Sequence, residues 1–189
     1  LGWFKSHIKS ADQLKGLKYR TVGLATDIMQ GMGVKVTQLP GGEIMPALEK
    51  GVIEAFEFNN PTADSRFGAQ DVSKHYHMGS YHQAAEFFEI IFNKDKYNSL
   101  PKEHQAILEY SAEAANTASY GWAMDQYSKD LQKLINEDKV NVYRTSSTIL
   151  QAQLDSWDKV LKRLNKDAFF KKIVDSQKTW SERVAFYDL

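Results

Sequence analysis

Cysteine is absent from all 189 residues, which excludes disulfides, thiolate metal sites and cysteine nucleophiles together. An excess of either charge is missing too: Lys plus Arg and Asp plus Glu number 24 each. With no basic surplus, nothing draws the chain to nucleic acid or to an anionic membrane. No stretch approaches the roughly 18–20 apolar residues needed to span a bilayer. There is no Gly-x-Ser-x-Gly elbow, no His-Glu-x-x-His helix and no phosphate-cradling glycine loop. Gly31-Met32-Gly33 and Gly41-Gly42 are too short and wrongly placed for a dinucleotide fingerprint. Nothing argues for turnover, and no internal repeat or low-complexity tract is present. What is there is 42% hydrophobic and 25% charged, an ordinary globular composition in a chain long enough to bury one substantial core.

The most informative stretch is residues 35–61. A short alternating strand, Val34–Leu39, runs into Pro40-Gly41-Gly42. A compact helix over Glu43–Lys50 then stops at Gly51, and a second strand, Val52–Phe58, delivers Glu57 to a loop. This β–turn–α–β order gathers polar groups where strands end, the edge at which open α/β sheets bind ligands. Upstream, Lys18–Val22 reads as a strand. Thr26 is placed to cap a short helix through Met32, ended by Gly33. Downstream, Asn60-Pro61 opens a helix toward Phe67, with Pro61 at a first helical position. Asn59, Asn60 and Asp64 read as turn and cap residues. Ser73–Met78 and Glu86–Asn93 are further strand candidates, the second rich in aromatic and β-branched residues.

After Ser99-Leu100-Pro101 the pattern becomes helical. Ile107, Tyr110, Ala114, Ala118, Trp122, Leu131, Leu134 and Ile135 recur at helical spacing. They predict one helix of roughly 35 residues, three times the usual mean. A short strand at Val140–Tyr143, a helix starting at Ser146 or Ser147 and running through Leu150–Leu164, and a last amphipathic helix from about Asp167 to Phe186 complete the chain. The expected organisation is an α/β lobe over residues 1–98, a bridging helix over 99–138, and a strand with C-terminal helices over 139–189. The fold class is α/β, with a mixed sheet flanked by helices and a helical C-terminal tail.

Several stretches resemble the extracytoplasmic solute-binding proteins of TRAP transporters, which capture organic acids. Gln13-Leu14-Lys15-Gly16-Leu17-Lys18-Tyr19-Arg20 is similar to that family's Asp-Leu-Lys-Gly-Leu-Lys-x-Arg. Met32 through Glu57 follows its Met-Gly, Val-x-Leu-Pro-x-x-Glu, Ala-Leu-x-x-Gly and Glu-Ala-x-Glu order. Tyr76 through His82 resembles its Tyr-x-x-Gly-x-His element, and Phe170 to Ala185 its tail. The resemblance covers nearly the whole chain. It implies a periplasmic-binding-protein-like lobe, a periplasmic location, and delivery of a small organic acid to TRAP membrane permease subunits. It also implies that the family's first lobe, roughly 100–150 residues by the usual size of a lobe, is absent; the opening Leu1-Gly2-Trp3-Phe4 reads as a start inside a folded protein.

The same resemblance assigns roles. Arg20 corresponds to the arginine that clamps the substrate carboxylate, a task suited to its fork of donors. In the branch that binds 2-oxo or 2-hydroxy monocarboxylates with a metal, Glu57 and the backbone carbonyl of Phe58 would hold Na+ or Ca2+, with Gln83 offering a third oxygen. Tyr81 or His82 would close over the ligand, and both are expected in the binding site. Two departures stand out: that branch usually has tryptophan at the position of Phe58, and Gly-Trp-His or Gly-Trp-Trp where this chain has Ser80-Tyr81-His82. His75 and His77, two apart on one strand, form a possible zinc pair, but they lack a third ligand and read as structural. The apolar C-terminal helices suggest a homodimer. A different reading of the chain is an oligomerising interaction module that binds no ligand.

Overall fold

The structure, a computed structural model, describes residues 1–82 and 88–188. Six short strands form one mixed sheet: β1 (Gly2–Phe4), β2 (Lys18–Arg20), β3 (Lys35–Thr37), β4 (Ala55–Phe56), β5 (His75–Met78) and β6 (Asn141–Arg144), in the order β3-β2-β4-β1-β5-β6. β2 pairs in parallel with β3 and β4, and β5 pairs in parallel with β6. Only β1 runs against its neighbours, antiparallel to both β4 and β5. The C-terminal ends of β2, β4 and β5 therefore lie along one edge of the sheet, with the start of β1 among them.

Strand alternation sorts the side chains into two cores. On one face Phe4, Tyr19 and Ala55 pack with Ile28 and Met29 of α1 (Leu24–Gly31) and with Ile149 and Val160 of α7 (Ser147–Leu164). On the other face Trp3, Phe56 and Tyr76 meet Ile44 and Leu48 of α2 (Ile44–Glu49) and Leu134 of α6 (Lys102–Asn136). Helices thus cover both faces, as the sequence pattern predicts. Three short helices, α3 (Pro61–Arg66), α4 (Ala69–Val72) and α5 (Lys94–Asn98), connect these parts, and α8 (Ala168–Asp188) closes the chain.

The expected elements form with trimmed ends, and α6 has the predicted 35 residues. Three expectations need correction. β1 carries too few residues to show a period and was not anticipated. Thr26 does not cap α1: Gly23 does, at φ 61°, while the Thr26 hydroxyl accepts from Gln38 Nε2 at 3.1 Å. Nor is the strand over Glu86–Asn93 formed among its described residues. Residues 88–93 lie outside helix and strand, with Phe88 and Ile91 both over 80% exposed. An apolar, β-branched run shows affinity for a buried surface without saying which one, and here β6 occupies the free side of β5.

Candidate functional site

Arg20 ends β2 and Glu57 follows β4 directly, so the parallel register, with Arg20 opposite Phe56, sets the two side by side at the sheet edge. The Glu57 amide donates to the Arg20 carbonyl at 3.2 Å. Arg20 Nη1 donates to the Glu57 carbonyl at 2.8 Å and to Glu57 Oε1 at 3.1 Å, and Nε donates to the Leu39 carbonyl at 3.0 Å. Both residues are buried, 5% and 6% exposed. Withdrawing a charge pair this far from water is costly, and the bonds from Arg20 to Glu57 and to the Leu39 carbonyl offset part of that cost. Its geometry depends on Gly2, whose backbone (φ 110°) passes so close to β4 that a Cβ would sit 2.2 Å from the Phe56 carbonyl oxygen.

Beside this pair lies a cleft of about 730 Å³, lined by Glu57, Phe58, Asp64, Tyr76, His77 and His82 and, on the helical side, by Met124, Tyr127 and Leu131 of α6. Arg20 stands behind Glu57 and is not among the lining residues. The Phe58 ring stacks on Phe67 with centroids 4.8 Å apart, and the Arg20 guanidinium carbon is 5.9 Å from the Phe58 ring centre. His82 lines the cleft with Nε2 3.9 Å from Glu57 Oε2. Tyr81 is exposed and off the cleft wall. Gln83, expected as a metal ligand, lies outside the described residues.

Asp64 is the residue that sequence reasoning misjudged. It sits on α3, just past the Asn60 cap, and is buried in the cleft rather than turned to solvent. Its Oδ2 accepts from Trp3 Nε1 at 2.8 Å and its Oδ1 from the Asn59 amide at 3.0 Å. Burial pushes its carboxyl up to about 6; the donors Trp3, Asn59 and Tyr76 oppose that rise and the Glu57 charge adds to it. The only sequence signal was spacing: Asp64 lies four residues past the cap, on the inward side of the first turn.

His75 and His77 are structural, as the sequence implied. His77 Nε2 accepts from the Ile8 amide at 3.2 Å, and His75 Nδ1 is 3.1 Å from the Tyr143 hydroxyl. Burial pushes His77 down to about 4, reinforced by neighbouring His7. Among the described residues no group of three or more His, Cys, Asp or Glu is placed to hold a metal ion. A cation at the cleft would rely on Glu57, carbonyl oxygens and ligand oxygens.

The profile of the bacterial extracellular solute-binding protein family 7, DctP, matches residues 2–171. The chain belongs to this family. As a family 7 protein it belongs with extracellular binders of solutes, not with enzymes. It is 32% identical over 183 residues to a monocarboxylate 2-oxoacid-binding periplasmic protein of Nostoc sp., covering 97% of this chain and 50% of that one. In structure it resembles a TRAP periplasmic solute-binding protein of Colwellia psychrerythraea with bound calcium and pyruvate (TM-score 0.89, 30% identity, 98% of this chain, 57% of that one). It also resembles a Pseudoalteromonas atlantica counterpart with bound sodium and pyruvate (TM-score 0.88, 29% identity, 98% and 57%). A TRAP solute-binding protein of Bordetella bronchiseptica, described as a mixed occupancy dimer with calcium and picolinate, aligns at TM-score 0.86 with 26% identity over 98% of this chain and 55% of that one. The chain spans about half the length of the curated relative that it matches over nearly its whole extent.

Proposed function

We propose that this chain forms one wall of the ligand cleft in a periplasmic TRAP solute-binding protein. That protein captures a small 2-oxo or 2-hydroxy monocarboxylate together with Na+ or Ca2+ and hands the acid to the membrane permease. Residues 1–98 are read as the second lobe and α6 as the bridge. The observation that carries the reading is the charge balance at the sheet edge. Glu57 and Asp64 face the cleft, and the one arginine beside them already spends Nη1 on Glu57 and Nε on Leu39. An anionic ligand brought there meets surplus negative charge unless a cation comes with it. Glu57 and the Phe58 carbonyl are hard oxygen donors of the kind that suit Na+ or Ca2+, and Gln83 is the proposed third donor. A bound cation would neutralise Glu57 and offer the ligand a positive centre. Arg20 Nη2, which makes no hydrogen bond among the described residues, is left for the ligand carboxylate. His82 reaches the ligand from the loop after β5, and Tyr81 closes over it from outside.

Calorimetry on the complete natural protein tests this. Pyruvate should bind in the presence of CaCl2 or NaCl and lose at least tenfold in affinity after chelation and desalting. Equal affinity with and without the cation would remove the metal from the reading. Ligand-dependent thermal stabilisation would separate this reading from an interaction module that binds nothing.

We further propose that the protein is a homodimer joined through its C-terminal helices. Phe169, Ile173, Trp180, Phe186 and Tyr187 of α8 are exposed, more apolar surface than an isolated helix face usually leaves in water. The relative described as a dimer supports the dimeric state.

A further inference from the structure

We infer that Gln153 of α7 and Ser80 form a hydrogen-bond relay that holds His82 in one tautomer, making Gln153 and Ser80 positioning residues for the ligand site. This rests on the reading that the cleft takes a 2-oxo acid. The buried side of α7 carries Ile149, Gln153, Ser156, Val160 and Leu161. Gln153, at 1% exposure, is the one long polar side chain in that stripe. Its amide is satisfied by a loop more than seventy residues away in sequence. The Tyr81 amide donates to Gln153 Oε1 at 3.0 Å, and Gln153 Nε2 donates to Ser80 Oγ at 2.6 Å.

The direction of these bonds can be worked out. A backbone N–H only donates, so the Gln153 atom facing Tyr81 must be the oxygen and the atom facing Ser80 must be the NH2. Ser80 Oγ accepts from that NH2 and, at 3.5 Å, from the His82 amide, so its own proton is left for its remaining neighbour, His82 Nδ1. Nδ1 becomes an acceptor, and the imidazole proton is left on Nε2. Nε2 lies on the cleft side, 3.9 Å from Glu57 Oε2, too far for a direct bond. The relay therefore presents an N–H donor to the ligand space. That donor suits an acceptor oxygen, such as the oxo or carboxylate oxygen of a 2-oxo acid, and opposes a 2-ammonium group, which can only donate. Two residues from two distant elements thus set what a third offers.

The test uses the complete protein with ¹⁵N-labelled histidine, pyruvate and CaCl2. The ring nitrogen shifts of His82 should report Nε2 protonated and Nδ1 bare. Ser80→Ala should mix the tautomers and weaken pyruvate binding at least fivefold, and Ser80→Thr, which keeps the hydroxyl, should restore both. Gln153→Glu, which keeps the acceptor for Tyr81 but has no donor for Ser80, should act like Ser80→Ala. Should the buried glutamate disturb folding, the two Ser80 variants still decide. Unchanged tautomer and affinity in Ser80→Ala would overturn the relay, as would a wild-type His82 protonated on Nδ1. Wild-type protein with the Nε2–H tautomer but no pyruvate binding, with or without calcium, would keep the relay and sink only the ligand reading.

Discussion

Where the sheet buries Trp3, Phe4, Tyr19 and Phe56 on its two faces and finds a partner for each buried charge, α6 and α8 leave Tyr110, Trp122, Phe169 and Trp180 in water. In α6, a helix of 35 residues, only Gln105 and Leu134 are buried. Within this chain the sheet is self-sufficient and the long helices are not. The exposed apolar side chains of α6 and α8 are the surface that the proposed dimer would cover, whereas those on the sheet account for its own stability.

The largest effect expected from breaking the comparison is at its packed end. Trp3 is fully buried, stacked 4.3 Å from Tyr76, and bonded to Asp64. Trp3→Ala should cost about 3–5 kcal/mol in chemical denaturation; a loss below 1 kcal/mol would contradict the core assignment. Next comes Arg20→Lys in the complete protein. Lysine cannot serve Glu57, Leu39 and a ligand at once, so pyruvate affinity by calorimetry should fall at least tenfold, about 1.4 kcal/mol or more. Unchanged affinity would remove Arg20 from the site.

Smaller still is a pH effect. Folded Asp64 holds its proton up to about 6 against an ordinary 3.8, so acidification through that window favours folding. His77 works the other way: its folded value of about 4 lies below the usual 6.5, so stability from its neutral form is lost as pH falls. The two slopes partly cancel in the wild type. Asp64→Asn removes only the first, so between pH 6 and 4 this variant should lose on the order of 1 kcal/mol more than wild type. Parallel curves would mean that Asp64 does not titrate there. The smallest effect on folding should come from Trp180→Ala, within about 0.5 kcal/mol, since that side chain is 59% exposed. Light scattering on the complete protein should nevertheless show it shifting a dimer toward monomer; an unchanged dimeric mass would move the interface elsewhere.

Much of this was legible in the residues. Arg20 and Glu57 sit in motifs whose turns and strand ends are marked by Gly16, Gly41 and Gly51, and local chemistry of that kind survives folding. Pro61 and the span of α6 were readable for the same reason. What could not be read depended on strand order. Asp64 looks like a helix-start acid until β1, a three-residue strand without a detectable period, brings Trp3 across to it. Gln153 looks like one more polar residue on an amphipathic helix until the loop after β5 folds against it. The run from Phe88 to Phe92 misled because its composition suits burial wherever burial is offered.

The proportions of α6 carry a mechanical consequence. At 1.5 Å per residue it is a rod of about 50 Å. It is held near its C-terminal end, where Leu134 is buried, and Met124, Tyr127 and Leu131 border the cleft from that same half. A tilt of about 5° about that anchored end would swing the far end, near Lys102, by about 4 Å. Small adjustments around an occupied cleft would thus be magnified at the opposite end of the helix, as by the long arm of a lever.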